Sequence, residues 1–456
     1  MNPDWISALI EGKIEEPLAS LSLTSPHGSS YQGSGRLFWH RNGQIIIEGI
    51  TSCDEFLLKR SLSFPLPGKI YTGAEFWRLK GELAKRGWEV SAKRITTHPS
   101  LSYLGSSPVA LWKIFPQEAH FKQRIGRTLP NTLEGIITPC PGFLWTKSSH
   151  INDNNPVFGW NSDKTDWWDM SIEDVKIYLR DSGDNSARLR INQAEKKFGS
   201  LHRWSTAFIT SLSFLYGQRI EWIGFQAYIK QIILSVLVDK AETGPAPFPP
   251  LGRKFDPERK IDREALLSCA TKFFRNPKSR DVKRLLYLYW GSFSAFLPAQ
   301  ALLMASILEG LLRASKESVP TLFEENAALA KEIEAVHHLL GQHPAEFSTG
   351  FMNRVSGMLS SFHGTRGKDI LQNIKDASWF SVTDTEIDSW DRIRNPHSHG
   401  DFSQWVKDIQ SGWDRTACIA NLINKTMLFL IGYDGKYVDY SERGYPENAF
   451  VSKQCI

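Results

Sequence analysis

The sequence predicts an α+β chain, with a β-rich amino-terminal half in the form of an antiparallel sheet or sandwich and a helical carboxy-terminal half. Three observations predict it. Short runs of alternating apolar and polar residues, punctuated by Gly and Pro, dominate to about residue 150. The run Gly-Pro-Ala-Pro-Phe-Pro-Pro at 244–250 can sustain neither a helix nor a central strand, because its prolines lack backbone donors and clash with helical geometry. Beyond residue 261, apolar residues recur at spacings of three and four, the period of a helix with one buried face. These shifts divide the chain into residues 1–245, a β-rich sensing or regulatory domain, residues 246–261, a Pro-rich and basic linker, and residues 262–456, a helical domain.

In the first part, Arg36 to Ile50 places Asn42-Gly43 between two apolar runs, a hairpin signal because both turn positions favour positive φ. Trp88 to Ile95 alternates with period two, as a half-buried strand does. A polar loop is expected around His150 to Asp166, and a further small region to about residue 195. From Gln193 to Leu215 the residues Phe198, Leu201, Trp204, Phe208, Leu212 and Leu215 predict a helix, and Gln226 to Val238 reads as a buried strand or a buried helix segment.

In the second part, Asp262 caps a helix over Arg263 to Phe274, and Asp281 opens another through the aromatic run Tyr287 to Trp290. Pro298 starts a third. Its run Ala301 to Leu312 is apolar except for Ser306, Glu309 and Gly310, the pattern of a core helix in a bundle. Further helices are expected over Glu324 to Leu340, Phe347 to Phe362, Asp369 to Ala377, Asp384 to Ile393 and Phe402 to Ile431.

The chain has 456 residues, 41% of them hydrophobic, and a formal net charge of +5. No run of about 18 uncharged apolar residues is present, so no membrane partner is expected. The first residues, with Asp4 and Glu11, lack the basic start and apolar run of a signal peptide, and the expected location is cytoplasmic. The five cysteines form no C-x-x-C pair, so neither a disulfide framework nor a zinc knuckle is read. Charge is uneven: residues 253–284 hold 11 basic and 5 acidic side chains, a stretch that attracts phosphates if it is more than a solvated helix face.

The segment that carries chemistry is Asp391-Arg392-Ile393-Arg394-Asn395-Pro396-His397-Ser398-His399-Gly400. Cleavage of RNA by its own 2′-hydroxyl needs a base, an acid and positive charge on the phosphorane. Histidine suits the first two tasks, and the permanently charged fork of arginine suits the third. His399 is accordingly read as general base or acid, Arg394 as the phosphate clamp, and Asn395 as a group that orients either. The competing readings are a turn histidine before Gly400 and a helix-end ion pair of Arg394 with Asp391 or Asp388. His397 is a neighbour or substrate contact. Glu309, a lone charge in an apolar helix, either holds Arg394 or faces solvent. His337, His338 and His343 do not make a metal site at helical spacing, and no metal or cofactor is read.

Arg394-Asn395 followed by His399 matches R-N-x-x-x-H, and the chain here resembles the HEPN ribonucleases. The tail Gly432-Tyr433-Asp434-Gly435-Lys436-Tyr437-Val438-Asp439-Tyr440, behind a large β-rich domain, makes it similar to the ApeA-type HEPN anti-phage defence proteins of bacteria. The specific part of this resemblance covers residues 262–456. It implies an all-α HEPN bundle, a metal-independent endoribonuclease acting in abortive infection on RNA such as tRNA, and a homodimer whose Arg and His residues share one cleft. A phage-derived trigger is a further implied partner. Two other functions fit the same sequence: a non-catalytic RNA- or nucleotide-binding HEPN module, and a dimeric interaction protein that recognises a phage component.

Overall fold

A computed structural model of the chain describes residues 13–54, 77–138, 167–192, 198–238, 248–252, 260–315, 327–342, 367–398 and 408–453, apart from short breaks at 27, 41–43, 85–87, 105 and 184–185, together with a few isolated residues such as Leu58 and Phe351. The Asn42-Gly43 turn, the loop at 150–166 and His343 lie outside the described residues. The chain divides into two compact units, one of residues 1–209 and 220–242, the other of residues 210–219 and 243–456. The first is a large antiparallel sheet and the second is mostly helical, an α+β arrangement.

The first unit is built from β1 (Lys13–Thr24), β2 (Ser30–His40), β3 (Ile45–Ser52), β4 (Trp77–Leu83), β5 (Glu89–Leu104), β6 (Ser107–Thr138), β7 (Trp167–Ile172), β8 (Val175–Gly183), β9 (Ser186–Asn192) and β10 (Glu221–Val238). Neighbouring strands run β3-β2-β1-β4-β5-β6, and β3 also pairs β6 from Ile47↔Ile114 to Ser52↔Val109. Six strands thereby close into a ring within the antiparallel sheet that the sequence predicts. The 32-residue β6 makes closure possible, since its first half has β5 on one edge and β3 on the other.

Inside the ring, Leu21, Leu23, Leu37, Ile47, Ile114, Ala119 and Phe121 are fully buried. Tyr31, Trp77 and Trp112 form an aromatic cluster with centroids 5.1–5.9 Å apart, and the buried Trp112 indole donates to Thr51 Oγ1 at 2.8 Å. At Gly33 the β2 and β3 backbones approach so closely that a Cβ would stand 1.8 Å from the Ile50 carbonyl oxygen.

Past the ring, β6 continues into a second stretch of sheet, flanked by β10 on one edge and by β9, β8 and β7 on the other. Residues two apart on a strand share a face. One face here is apolar and buried, carrying Trp168, Met170, Ile177, Leu179, Leu189, Ile191, Leu133 and Phe225. The helix α1 (Phe198–Tyr216) buries Leu201, Trp204 and Phe208, and its His202 ring lies 5.8 Å from Phe225. Burial holds the His202 imidazole below its ordinary pKa.

The second unit contains α2 (Lys260–Arg275), α3 (Arg280–Ser292), α4 (Leu297–Ala314), α5 (Ala327–Gln342), α6 (Gly367–Asp376), α7 (Asp384–Ser398) and α8 (Ile409–Ile431), followed by the hairpin β11 (Gly435–Val438) and β12 (Glu447–Phe450). The α8 helix is apolar around most of its circumference and almost wholly buried, so it forms the centre of the unit. It ends at Gly432, whose φ of 67° closes the helix in the left-handed region that glycine adopts without cost. Among the described helices, α4 alone has the length and mean hydropathy, 1.2, to cross a membrane. Its Ala301, Met304, Ala305, Leu308, Leu311 and Leu312 are buried in this unit.

Phe248 to Leu251, expected to be linker, is instead part of this core. Phe248 packs on Phe293, Trp413 and Tyr440, its carbonyl accepts from Asn424 at 3.1 Å, and the Pro249 carbonyl accepts from the Tyr440 hydroxyl at 2.7 Å. Prolines supply no donors but leave their carbonyls to be satisfied, and buried side chains meet that need here.

Candidate active site

The α7 helix carries the Arg-Asn motif near its end. Its start is fixed by Thr383, whose Oγ1 accepts from Glu386 N at 3.2 Å while Glu386 Oε2 accepts from Thr383 N at 2.9 Å. This reciprocal pair is a capping box, and the spacing Thr-x-x-Glu was present in the sequence as its signal. Farther along, the buried Trp390 indole donates to the Ala305 carbonyl of α4 at 3.0 Å. Gly367 at the start of α6 makes room for that ring, since a Cβ there would lie 2.8 Å from Trp390 Cη2.

At Arg394, Nε donates to Glu309 Oε2 at 3.2 Å, and the same carboxylate accepts from Arg313 Nη2 at 2.9 Å through Oε1. Glu309 is 21% exposed and Arg394 32%, so the pair lies at the margin of the core rather than in open solvent. The ion pairs weighed for Arg394 from sequence are made by other residues: Asp391 accepts from Lys368 at 2.8 Å, and Asp388 pairs with Arg392 at 2.8 Å. The hydrogen bond from Lys368 to Asp391 raises the Lys368 pKa. Among the described residues of this face, Lys368 and Arg392 each pair with a carboxylate of α7, and Glu309 serves both Arg394 and Arg313.

Asn395 and His397 continue the backbone of α7 to Ser398. Nothing is described of their side chains, and His399 lies outside the described residues. Of the five residues read from sequence, the structure therefore brings together Arg394 and Glu309.

A buried polar network behind this face was not read from sequence. Lys425 of α8, 1% exposed, donates to Glu386 Oε1 and Oε2 at 2.9 and 3.1 Å and stands 3.7 Å from Asp439 Oδ2. Asn421 bridges the carboxylates, donating to Glu386 Oε1 and Asp439 Oδ1 at 2.8 Å each, and its oxygen accepts from Tyr440 N at 3.2 Å. Tyr437 OH donates to Asp439 Oδ2 at 2.8 Å and Ser441 N to Asp439 Oδ1 at 2.9 Å.

Burial would raise the Asp439 carboxyl pKa, but Lys425 and the donors from Ser441 and Tyr437 outweigh it and hold the group below its ordinary value. Burial and the Asp439 charge push the Tyr437 phenol far up, so it stays a donor. A buried charge persists when its partners satisfy it, and here three charged groups share one cage of donors. The network ties α7, α8 and the segment before β12 together, and so fixes the helix on which Arg394 sits. No protein-family model, curated protein or solved structure matches this chain.

Proposed function

We propose that the helical unit is a HEPN-type, metal-independent endoribonuclease that acts in the bacterial cytoplasm in anti-phage defence by abortive infection. The observation that carries this reading is the pair between Arg394 of α7 and Glu309 of α4, with Arg394 four residues before Ser398 and five before His399. The tie engages Nε, so the guanidinium is oriented before substrate arrives, and its Nη groups would meet two phosphate oxygens in a fork. In the proposed reaction His399 of one protomer removes the 2′-hydroxyl proton. The 2′-oxygen attacks phosphorus, the bond to the 5′-oxygen breaks, and the second protomer's histidine protonates that leaving oxygen. Arg394 balances the charge that gathers on the phosphorane. The products are a 2′,3′-cyclic phosphate and a 5′-hydroxyl end.

The homodimer belongs to this proposal, because one copy supplies one motif histidine for two proton transfers. The β-rich unit would hold the enzyme silent until a phage-derived trigger arrives. A second reading, a non-catalytic RNA- or nucleotide-binding module, is favoured by the same ion pair, since Glu309 could hold Arg394 for structural reasons alone. Incubating the purified chain with total RNA and tRNA in EDTA, beside His399→Ala, separates the two. The nuclease reading expects cyclic-phosphate ends from wild type only. RNA binding without cleavage, in the presence and absence of infected-cell extract, supports the module instead.

A further inference from the structure

The ring of strands in the first unit has a cavity at its mouth that the nuclease reading does not use. At this end β1 finishes at Thr24, β2 begins at Ser30, β3 finishes at Ser52 and β6 begins at Ser107. The last registered pair of β2 and β3 toward the mouth is Gly33↔Thr51. Beyond it, residues around the start of β2 and the end of β3 enclose a cavity of about 400 Å³, lined by Ser29, Ser30, Tyr31, Ser52, Cys53 and Asp54. Small-molecule sites occupy roughly 300–1,000 Å³, and the mouths of barrels are among the places where they form.

The walls are fixed by local hydrogen bonds. Ser25 Oγ accepts from Ser29 N at 3.0 Å, and Ser25 N donates to the Ser29 carbonyl at 2.8 Å, which sets the turn that leads into β2. On the other side Cys53 N donates to the Pro108 carbonyl of β6 at 3.3 Å, and the Asp54 carbonyl accepts from Leu58 N at 2.9 Å. Tyr31 forms the floor. It is 4% exposed, and its ring packs on Trp77 and Trp112 with centroids 5.9 and 5.3 Å away, so the floor is both aromatic and held from behind. A site built this way is formed before a ligand arrives and loses little freedom on binding.

The lining selects a class of ligand. Serine hydroxyls both donate and accept, the Asp54 carboxylate accepts, and among the described residues that line the cavity there is no lysine, arginine or histidine. Such a set disfavours an anion and suits a neutral molecule rich in hydroxyl donors, with an apolar side to lie on an aromatic ring. A carboxylate is the acceptor that dinucleotide-binding folds offer to ribose hydroxyls, for the same reason. We propose that the mouth of the ring binds a small neutral ligand through two adjacent hydroxyls, with Asp54 as their acceptor, the serines as further partners and Tyr31 as the floor. The diol belongs to a free monosaccharide or to the ribose of a nucleoside, two sources of one chemistry. The site lies wholly in the β-rich unit, is independent of the RNase reading and survives its failure.

The test is titration of the full chain with glucose, ribose, adenosine and 2′-deoxyadenosine, followed by saturation-transfer NMR. Saturable binding by at least one of the first three is expected. Alkylation locates it: at saturating probe, iodoacetamide should label Cys53 severalfold more slowly, while Cys269 in the helical unit keeps its rate, both read by peptide mass spectrometry. Asp54→Asn keeps the shape of an exposed side chain and should raise Kd at least about tenfold, the scale of a hydrogen bond to a charged group. Ser30→Leu narrows the cavity from an exposed position and should weaken the same probe, so it decides the matter if Asp54→Asn does not fold. A free sugar bound at least as tightly as adenosine identifies a monosaccharide. Tighter binding of adenosine, with 2′-deoxyadenosine weaker, identifies a nucleoside. Absence of saturable binding, unchanged labelling of Cys53, or equal affinity of the folded variants and wild type overturns the proposal, as does equal binding of adenosine and its deoxy form where adenosine binds tightest.

Discussion

Two buried ionic clusters differ in how their charges are balanced, one with more carboxylates than cations and the other with more cations than carboxylates. Around Lys425, one cation meets two carboxylates, and Asn421, Tyr437, Ser441 and the Thr383 backbone supply the remaining donors. Around Glu134, one carboxylate meets two arginines, with a third in the next strand. The first is a closed set in which each oxygen has its donors, and such a set specifies one arrangement of helices. The second gathers like charges of neighbouring strands around one buried carboxylate, which is what holds them together.

Breaking the closed set should have the largest effect. Lys425→Ala leaves two carboxylates buried without their cation, and should cost about 3–5 kcal/mol in urea unfolding followed by a helical signal. Glu134→Gln keeps one acceptor oxygen but removes the charge between the arginines, and should cost about 3 kcal/mol. Equal losses in Lys425→Ala and Glu134→Gln would erase the contrast between the clusters.

Smaller changes sharpen the same comparison. Thr383→Ala removes the cap but leaves the Glu386–Lys425 pair, and should cost about 1 kcal/mol by the same denaturant measurement. Acid should act through Asp439. Its folded pKa lies below the ordinary value of 3.8, so its contribution is complete above that value and is lost as pH falls through the lower folded value. Asp439→Asn should therefore show a shallower fall in thermal midpoint than wild type below pH 3.8.

Helices α2, α3 and α4 were legible because each has a local signal: Asp262, Asp281 and Pro298 stand within two residues of their starts, and their apolar residues keep helical spacing, whereas the expected helix over Phe347 to Phe362 lies largely outside the described residues. Glu309 stood out for the same reason, as a charge in an apolar run. The β6 strand was not legible at its full length, since Pro108, Pro116 and Pro130 each argue against a continuous strand. Ring closure was hidden as well, because pairing of β3 with β6 joins residues more than fifty apart. The β1 strand carries Pro17 and a register shift between Leu18 and Leu21, which blur its alternation.

The charged clusters were the least visible. Lys425 and Glu386 are 39 residues apart, and Glu134 and Arg188 are 54 apart. On the sequence each is an ordinary charged residue in an amphipathic segment, and only the packing of distant elements makes them neighbours. The Thr383-x-x-Glu386 box was the one local trace of this region.

The measurement that bears most directly on the central claim is RNA cleavage in EDTA by Arg394→Ala beside wild type, after both have been shown to unfold at the same denaturant midpoint. It should be run with and without extract from phage-infected cells. The account predicts that wild type cuts RNA in at least one condition and that the variant loses at least about a hundredfold in rate, the scale of one electrostatic contact to the transition state. Equal cleavage by the two proteins, or none by wild type in either condition, would contradict it.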